Sequence, residues 1–86
     1  TELTPLKSYY VNNINNNIVN TVNIVLWDAN TADSPFKAGN TIRGNGFCIT
    51  YSSGEPYLCQ LAMAVGDSNL FTRHRSQEGW SGWTTK

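Results

Sequence analysis

Apolar or aromatic side chains occupy every second position along residues 47–52 and again along residues 57–65. This alternation constrains the fold more than any other feature of the chain. A period of two indicates β-strands, because successive side chains of a strand point to opposite faces. Residues 53–56, Ser-Gly-Glu-Pro, separate the two runs and have the composition of a tight turn. We therefore predict a β-hairpin.

Two further turn clusters follow the hairpin, at residues 66–69 and 77–79. Residues 70–76 between them predict a third strand, and residues 80–84 predict a short final strand. The connections are too short for the crossover that parallel strands require, so the strands should be antiparallel. We predict an all-β fold: an antiparallel meander of four or five strands, forming one sheet of a small β-sandwich.

The segment before the hairpin is rich in asparagine, with eight Asn among residues 9–30. Val11, Ile14 and Ile18 have helical spacing, whereas the mixture of β-branched residues with Asn and Thr indicates a strand. Asn is a poor residue for a helix interior, because its side chain competes for backbone hydrogen bonds. We favour extended structure, with a short helix or a stalk-like coil as the alternative.

Turn-forming residues dominate residues 28–46, for which we predict a loop with one short edge strand at residues 41–43. The change in composition indicates two parts. We expect residues 1–29 to be an Asn-rich connecting or shaft-like segment, and residues 30–86 to be a β knob domain. Because the first residue is Thr1 rather than Met, we expect the chain to be a fragment or a processed product.

Composition argues against two classes of partner. Charged residues are 14% of the chain and the formal net charge is zero, whereas nucleic-acid binding depends on clustered Lys and Arg. No apolar run approaches the ~20 residues that span a bilayer, so we expect no membrane insertion.

The two cysteines, Cys48 and Cys59, lack the spacing of a metal site. The hairpin should place them within about one residue of direct pairing on adjacent strands. A disulfide in that position is strained, because its geometry is narrowly defined. We predict free thiols.

Side chains that could carry catalysis are few and scattered. His74 is the one histidine, and no nucleophile with an orienting carboxylate lies near it in sequence. Most carboxylates fall in predicted turns, and residues 28–33 lack the Gly and the distant Glu of a calcium loop. We predict that the protein is not an enzyme and uses neither a metal ion nor another cofactor.

The most specific feature is Arg73 on the third predicted strand, followed by Trp80 and Trp83. A guanidinium stacks well on an indole ring, so these three side chains should form one cluster. Trp83 reaches the side of Trp80 only if a bulge forms at Gly82. The cluster is interpreted either as a packing ladder or as a platform for a sugar ring. The candidate ligand-binding residues are Tyr57, Arg73, Arg75, Trp80 and Trp83.

These motifs resemble the pyocin-knob domains near the C-terminal ends of phage tail fibres, tailspikes and pyocin fibres. The resemblance covers roughly residues 30–86 and rests on residues 46–51, residues 57–61, Phe71-Thr72-Arg73 and Trp80-Ser81-Gly82-Trp83. It implies a receptor-binding fibre tip: a homotrimer that binds a bacterial cell-surface polysaccharide or another receptor. Such a tip is assembled in the host cytoplasm and carried on the virion.

Two other functions fit the same residues. One is a monomeric carbohydrate-binding module that belongs to a larger enzyme. The other is a trimerisation clamp with no ligand. Sedimentation separates the monomeric module from the two trimeric alternatives.

Overall fold

The computed structural model describes residues 9–15, 21–54 and 56–86. These residues form one antiparallel sheet in the order β1-β2-β3-β4-β5, with β6 paired to β4. The strands are β1 (Thr21–Asp28), β2 (Asn45–Gly54), β3 (Tyr57–Ala64), β4 (Phe71–Ser76), β5 (Gly79–Trp80) and β6 (Thr84–Thr85). The all-β antiparallel meander is confirmed. In the described part of the chain, the layer packed on this sheet is loop rather than a second sheet.

Extended structure is confirmed for residues 21–28, where β1 pairs with β2 along its whole length. The sheet therefore continues across the boundary predicted between residues 29 and 30. Residues 9–15 make two isolated parallel bridges, Tyr10 with Leu26 of β1 and Asn13 with Ala32 in the loop after β1. Ile18, one residue of the alternative helical pattern, lies outside the described residues.

The β2–β3 hairpin is confirmed, but the predicted register of its cysteines is wrong. Cys48 pairs with Ala62, and Cys59 pairs with Tyr51. Directly paired residues share a face of the sheet, so this register places the two cysteines on opposite faces. Cys48 is buried, Cys59 is exposed, and both thiols are free, as predicted.

The edge strand predicted at residues 41–43 does not form. The hydroxyl of Thr41 donates to Oδ2 of Asp67 at 2.9 Å and accepts from the backbone N–H of Arg43 at 3.1 Å. These local bonds replace a strand ladder, as hydroxyl side chains often do in turns.

One face of the sheet, here called the inner face, is covered by residues 11–15 and the loop after β1. Its core cluster is formed by Ile14, Trp27, Cys48, Ala62, Ala64 and Phe71. Trp27 lies across Gly46, its partner in β2, and donates from Nε1 to the carbonyl of Phe47 at 2.9 Å. The opposite face, here called the outer face, has no such cover among the described residues.

The inner face changes character along its length. At one end Trp27 and Phe71 pack together with small residues of β2 and β3. At the other end most of its buried residues are polar, namely Thr50, Ser52, Gln60 and Arg73, with Leu58 beside them. Buried polar groups require hydrogen-bond partners, so this end is the place to look for a specific site.

Candidate functional site around Arg73

Arg73 lies in β4 on the inner face, directly paired with Gln60 of β3, and is only 8% exposed. Its Nε donates to Oε1 of Gln60 at 2.5 Å. The amide nitrogen of Gln60 in turn donates to the carbonyl of Ile14 at 2.8 Å and to the hydroxyl of Thr50 at 3.0 Å. The buried side chain of Gln60 therefore connects β2, β4 and the segment that contains Ile14.

Asn15 links the guanidinium to a carboxylate. Its Oδ1 accepts a hydrogen bond from Arg73, and its Nδ2 donates to Oδ2 of Asp33 at 2.7 Å. Burial lowers the pKa of the Arg73 guanidinium, while the nearby charge of Asp33 acts in the opposite direction. The positive charge is thus partly compensated through an intervening amide rather than by a direct ion pair.

The predicted cluster of Arg73, Trp80 and Trp83 is confirmed. The guanidinium carbon of Arg73 lies 3.9 Å from the ring centroid of Trp80 and 4.7 Å from that of Trp83. Both distances are within the range of cation–π attraction. We refer to these three residues as the Arg73 cluster.

The predicted bulge before the last strand is also present. Arg75 pairs with Trp80, and Thr72 pairs with Thr84, so residues 81–83 lie opposite only residues 73 and 74. This extra residue turns Trp83 towards Arg73. The bulge does not require glycine, because Gly82 does not have a positive φ and an added Cβ would meet no atom within 4 Å.

Trp83 is held at the surface by two contacts. One is its contact with Arg73, and the other is a hydrogen bond from its indole N–H to the carbonyl of Asp33 at 2.8 Å. Asp33 itself has a φ of 61°, a left-handed conformation that Asp tolerates better than most residues. The ring is half-buried and its orientation is fixed.

A shallow groove of about 200 Å³ runs beside the cluster. Trp83 and Arg73 form one part of it, and the exposed residues Asp33 and Lys37 stand at its rim. Its remaining lining comes from Ala38, Ser81 and Gly82. The groove thus combines one aromatic side chain with one anion, two cations and a hydroxyl.

The other two candidate residues lie in different positions. The guanidinium of Arg75 is 5.6 Å from the Trp80 ring centroid, so Arg75 borders the cluster. Tyr57 begins β3 and alternates with buried Leu58, which places it on the outer face with 44% of its surface exposed. The structure does not bring Tyr57 to the Arg73 cluster.

Sequence reasoning missed Asn15, Asp33, Lys37 and Gln60 as parts of this site. Gln60 carried a usable signal, because a polar residue in an alternating apolar run marks a position that needs a partner. The other three come from the N-terminal segment and the loop, and no spacing in the sequence connects them with Arg73.

Residues 9–15, 21–54 and 56–86 contain no group of three or more His, Cys, Asp or Glu side chains placed to bind a metal ion. They also include no helix with the length and apolar character of a membrane span.

No known family, curated protein or solved structure matches this chain. Its function must therefore be argued from the Arg73 cluster, the groove and the two faces of the sheet.

Proposed function

We propose that this chain is a non-catalytic attachment module of a phage tail fibre or tailspike, which assembles as a trimer and binds a bacterial surface polysaccharide. The observation that carries the proposal is the half-exposed indole of Trp83, fixed by Arg73 and Asp33 at the edge of a polar groove.

A fixed aromatic ring suits a sugar ligand. The indole offers a flat apolar surface to one face of a pyranose ring, and the polar rim can bind the hydroxyls at its edge. Because the two contacts of Trp83 already hold its orientation, little side-chain entropy is lost on binding. The groove needs no rearrangement before a sugar ring is placed on it.

The size and charge of the groove restrict the ligand. Its volume of about 200 Å³ is below the ~300 Å³ at which pockets for drug-sized molecules begin, so it suits a single ring of a longer chain. The rim carries Asp33 and Lys37, one charge of each sign. Arg73 also lines the groove, so cations exceed anions there, and a neutral or acidic hydroxyl-rich sugar fits this balance better than a cationic one.

A trimerisation clamp without a ligand is the second candidate. Its support is that Arg73 is buried and bonded to Gln60 and Asn15, so a purely structural role already accounts for the cluster. The clamp and the attachment module differ in what they predict for the groove, which a clamp would leave unused.

Binding to an array of bacterial surface polysaccharides tests the proposal. Trp83 packs against the core, so its removal disturbs the fold, and variants at the rim are preferable. Lys37→Ala removes a rim cation whose side chain is exposed, and Gly82→Gln adds a side chain at a position with open space. Ile42→Gln introduces the same side chain on a loop position that is 89% exposed and lies outside the groove.

We expect the wild type and Ile42→Gln to retain the same polysaccharide, and both rim variants to lose it while keeping the wild-type melting temperature. Retention by both rim variants would show that binding occurs elsewhere. A trimer that retains no polysaccharide would favour the clamp.

A further inference from the structure

The outer face of the sheet carries an ordered apolar surface. The register aligns its side chains in three rows across β1, β2 and β3. The rows are Leu26-Phe47-Met63, Ile24-Ile49-Leu61 and Val22-Tyr51-Cys59. None of these nine side chains is charged.

Apolar side chains are found on both faces of the sheet, not only on the covered one. A sheet with one covered face normally places its aliphatic residues under the cover and its polar residues outside. Here the covered face holds the core cluster around Trp27 and Phe71 together with buried polar residues, while the three rows on the outer face hold most of the large aliphatic residues. Val22 is 61% exposed and Tyr51 is 50% exposed. A contiguous apolar face of this kind marks an interaction surface.

The outer face also contains two grooves. A groove of about 550 Å³ lies over its β3–β4 side, with Tyr51, Cys59 and Leu61 in its lining. A second groove of about 320 Å³ lies at the other end, between Tyr10, Phe47 and Met63. Projecting side chains on a facing surface can fill such grooves, which is a requirement for a well-packed interface.

The absence of charge restricts the partner. The basic side chains that line the first groove, Arg73, His74 and Lys86, come only from β4 and from the residue after β6. The three rows therefore offer no electrostatic selection for a charged partner, and two identical copies meet there without like-charge repulsion. Depletion of charged residues is typical of the buried core of an interface.

The area of the face is sufficient for self-association. The strands β1 and β3 are eight residues long. With β4, which adds Thr72 and His74 to this face, four strands spaced about 4.8 Å apart, with about 3.3 Å per residue, outline roughly 20 by 26 Å, or on the order of 500 Å². The projecting side chains raise the accessible area above this flat outline, towards the ~800 Å² that each partner buries in a standard interface.

We propose that the outer face is buried against other copies of this chain, with the rows centred on Ile49 and Leu61 at the middle of the contact. This inference rests on the trimer of the proposed function, and it names the surface that the trimer uses. The small covered core supports it, because small domains commonly complete their cores by association.

Sedimentation equilibrium of the wild type, Leu61→Glu and Ile42→Glu tests the inference. Leu61 occupies the middle row and is partly exposed, so a charge there faces solvent in a single copy but is buried in the assembly. Ile42→Glu makes the same change of charge on the exposed loop, away from both grooves. We expect Leu61→Glu to raise the dissociation constant by about 30-fold or more, as substitution of a central interface residue does, and Ile42→Glu to leave it unchanged.

Cys59 provides a second measurement that needs no disruptive substitution. It lies in the third row and lines the larger groove, whereas Cys48 is buried on the inner face. Alkylation followed by peptide mass spectrometry should therefore report Cys59 alone. We expect its labelling to slow as the wild-type concentration rises, and to stay fast in Leu61→Glu, because thiol reactivity depends on access. Leu61→Thr, which retains a strand-forming residue, replaces Leu61→Glu if the latter does not fold.

The outcomes separate this inference from the proposed function. An associated wild type in which Leu61→Glu associates equally and Cys59 stays reactive would overturn the outer face as the interface but leave the trimer intact. A monomeric wild type at high micromolar concentration would overturn both the interface and the trimer, while the polysaccharide array still tests attachment. A dimer that Leu61→Glu dissociates would support the interface and reject the trimer.

Discussion

Arg73 and Gln60 face each other across β4 and β3, and the Nε–Oε1 distance between them is 2.5 Å. The pair is buried in the part of the sheet where an apolar core would be expected. Each side chain has further partners, so the arrangement is a connected network rather than an isolated contact. Such networks hold a fold in one arrangement, and removal of one member leaves the others unsatisfied.

Replacement of Gln60 by Ala should destabilise the protein strongly. The substitution leaves the Nε of Arg73, the carbonyl of Ile14 and the hydroxyl of Thr50 without their shared partner. We expect a loss of about 2–4 kcal/mol in the free energy of unfolding, because buried groups that lose partners carry the full cost of desolvation. Urea denaturation measures it, and an unchanged midpoint would contradict the role given to Gln60.

Replacement of Arg73 should show the value of stacking. Arg73→Ala removes the hydrogen bonds and the contacts with Trp80 and Trp83, so we expect a clear fall in melting temperature. Arg73→Lys should recover only part of the loss, because an ammonium group does not stack flat on an indole. Arg43→Ala, on an exposed loop, is the control and should change little. Equal melting temperatures for the wild type and Arg73→Ala would reject the structural role.

Gly46 and Gly82 differ in the space available for an added side chain. An added Cβ at Gly46 would lie 1.9 Å from the carbonyl oxygen of Met63 and 2.8 Å from the ring of Trp27. At Gly82 the same atom would meet nothing within 4 Å. We expect Gly46→Ala to cost about 3 kcal/mol or more, the upper part of the range for overpacking, and Gly82→Ala to stay within about 0.5 kcal/mol of the wild type. Chemical denaturation measures the free energy of unfolding of both variants. A larger loss for Gly82→Ala than for Gly46→Ala would contradict this ordering.

Cys48 should make stability fall at alkaline pH. Burial raises the pKa of its thiol from 9.0 to about 11, outweighing the opposite effects of Thr50 and Arg73. The folded state therefore keeps the proton where the unfolded state has lost it, so this contribution is complete below pH 9 and disappears as the pH rises towards 11. The loss attributable to Cys48 amounts to about 2–3 kcal/mol at most.

The difference in unfolding free energy between the wild type and Cys48→Ala isolates this effect from the titration of tyrosines. The two proteins should differ by a constant amount up to pH 9, and the wild type should then lose stability relative to the variant. A difference that stays constant up to pH 11 would show that the thiol does not titrate in this way.

The local structure of β2, β3 and β4 could be predicted from the sequence, because alternation and turn composition act over a few residues. The stacking of Arg73 on Trp80 and Trp83 could also be predicted, since these residues lie within one hairpin-like return of the chain. The register of Cys48 could not, because it depends on how the strands pair beyond the turn.

Only the tertiary structure decided which face of the sheet is covered. In β3 both alternating sets contain apolar residues, Leu58 and Ala62 on one face and Leu61 and Met63 on the other, so periodicity alone favours neither. The face with Gln60 and Arg73 is the buried one, because it meets Asn15, the carbonyl of Ile14 and the loop with Asp33. These groups come from distant parts of the chain. They satisfy Arg73 and Gln60 there, and a polar group is stable inside a protein only where such partners converge.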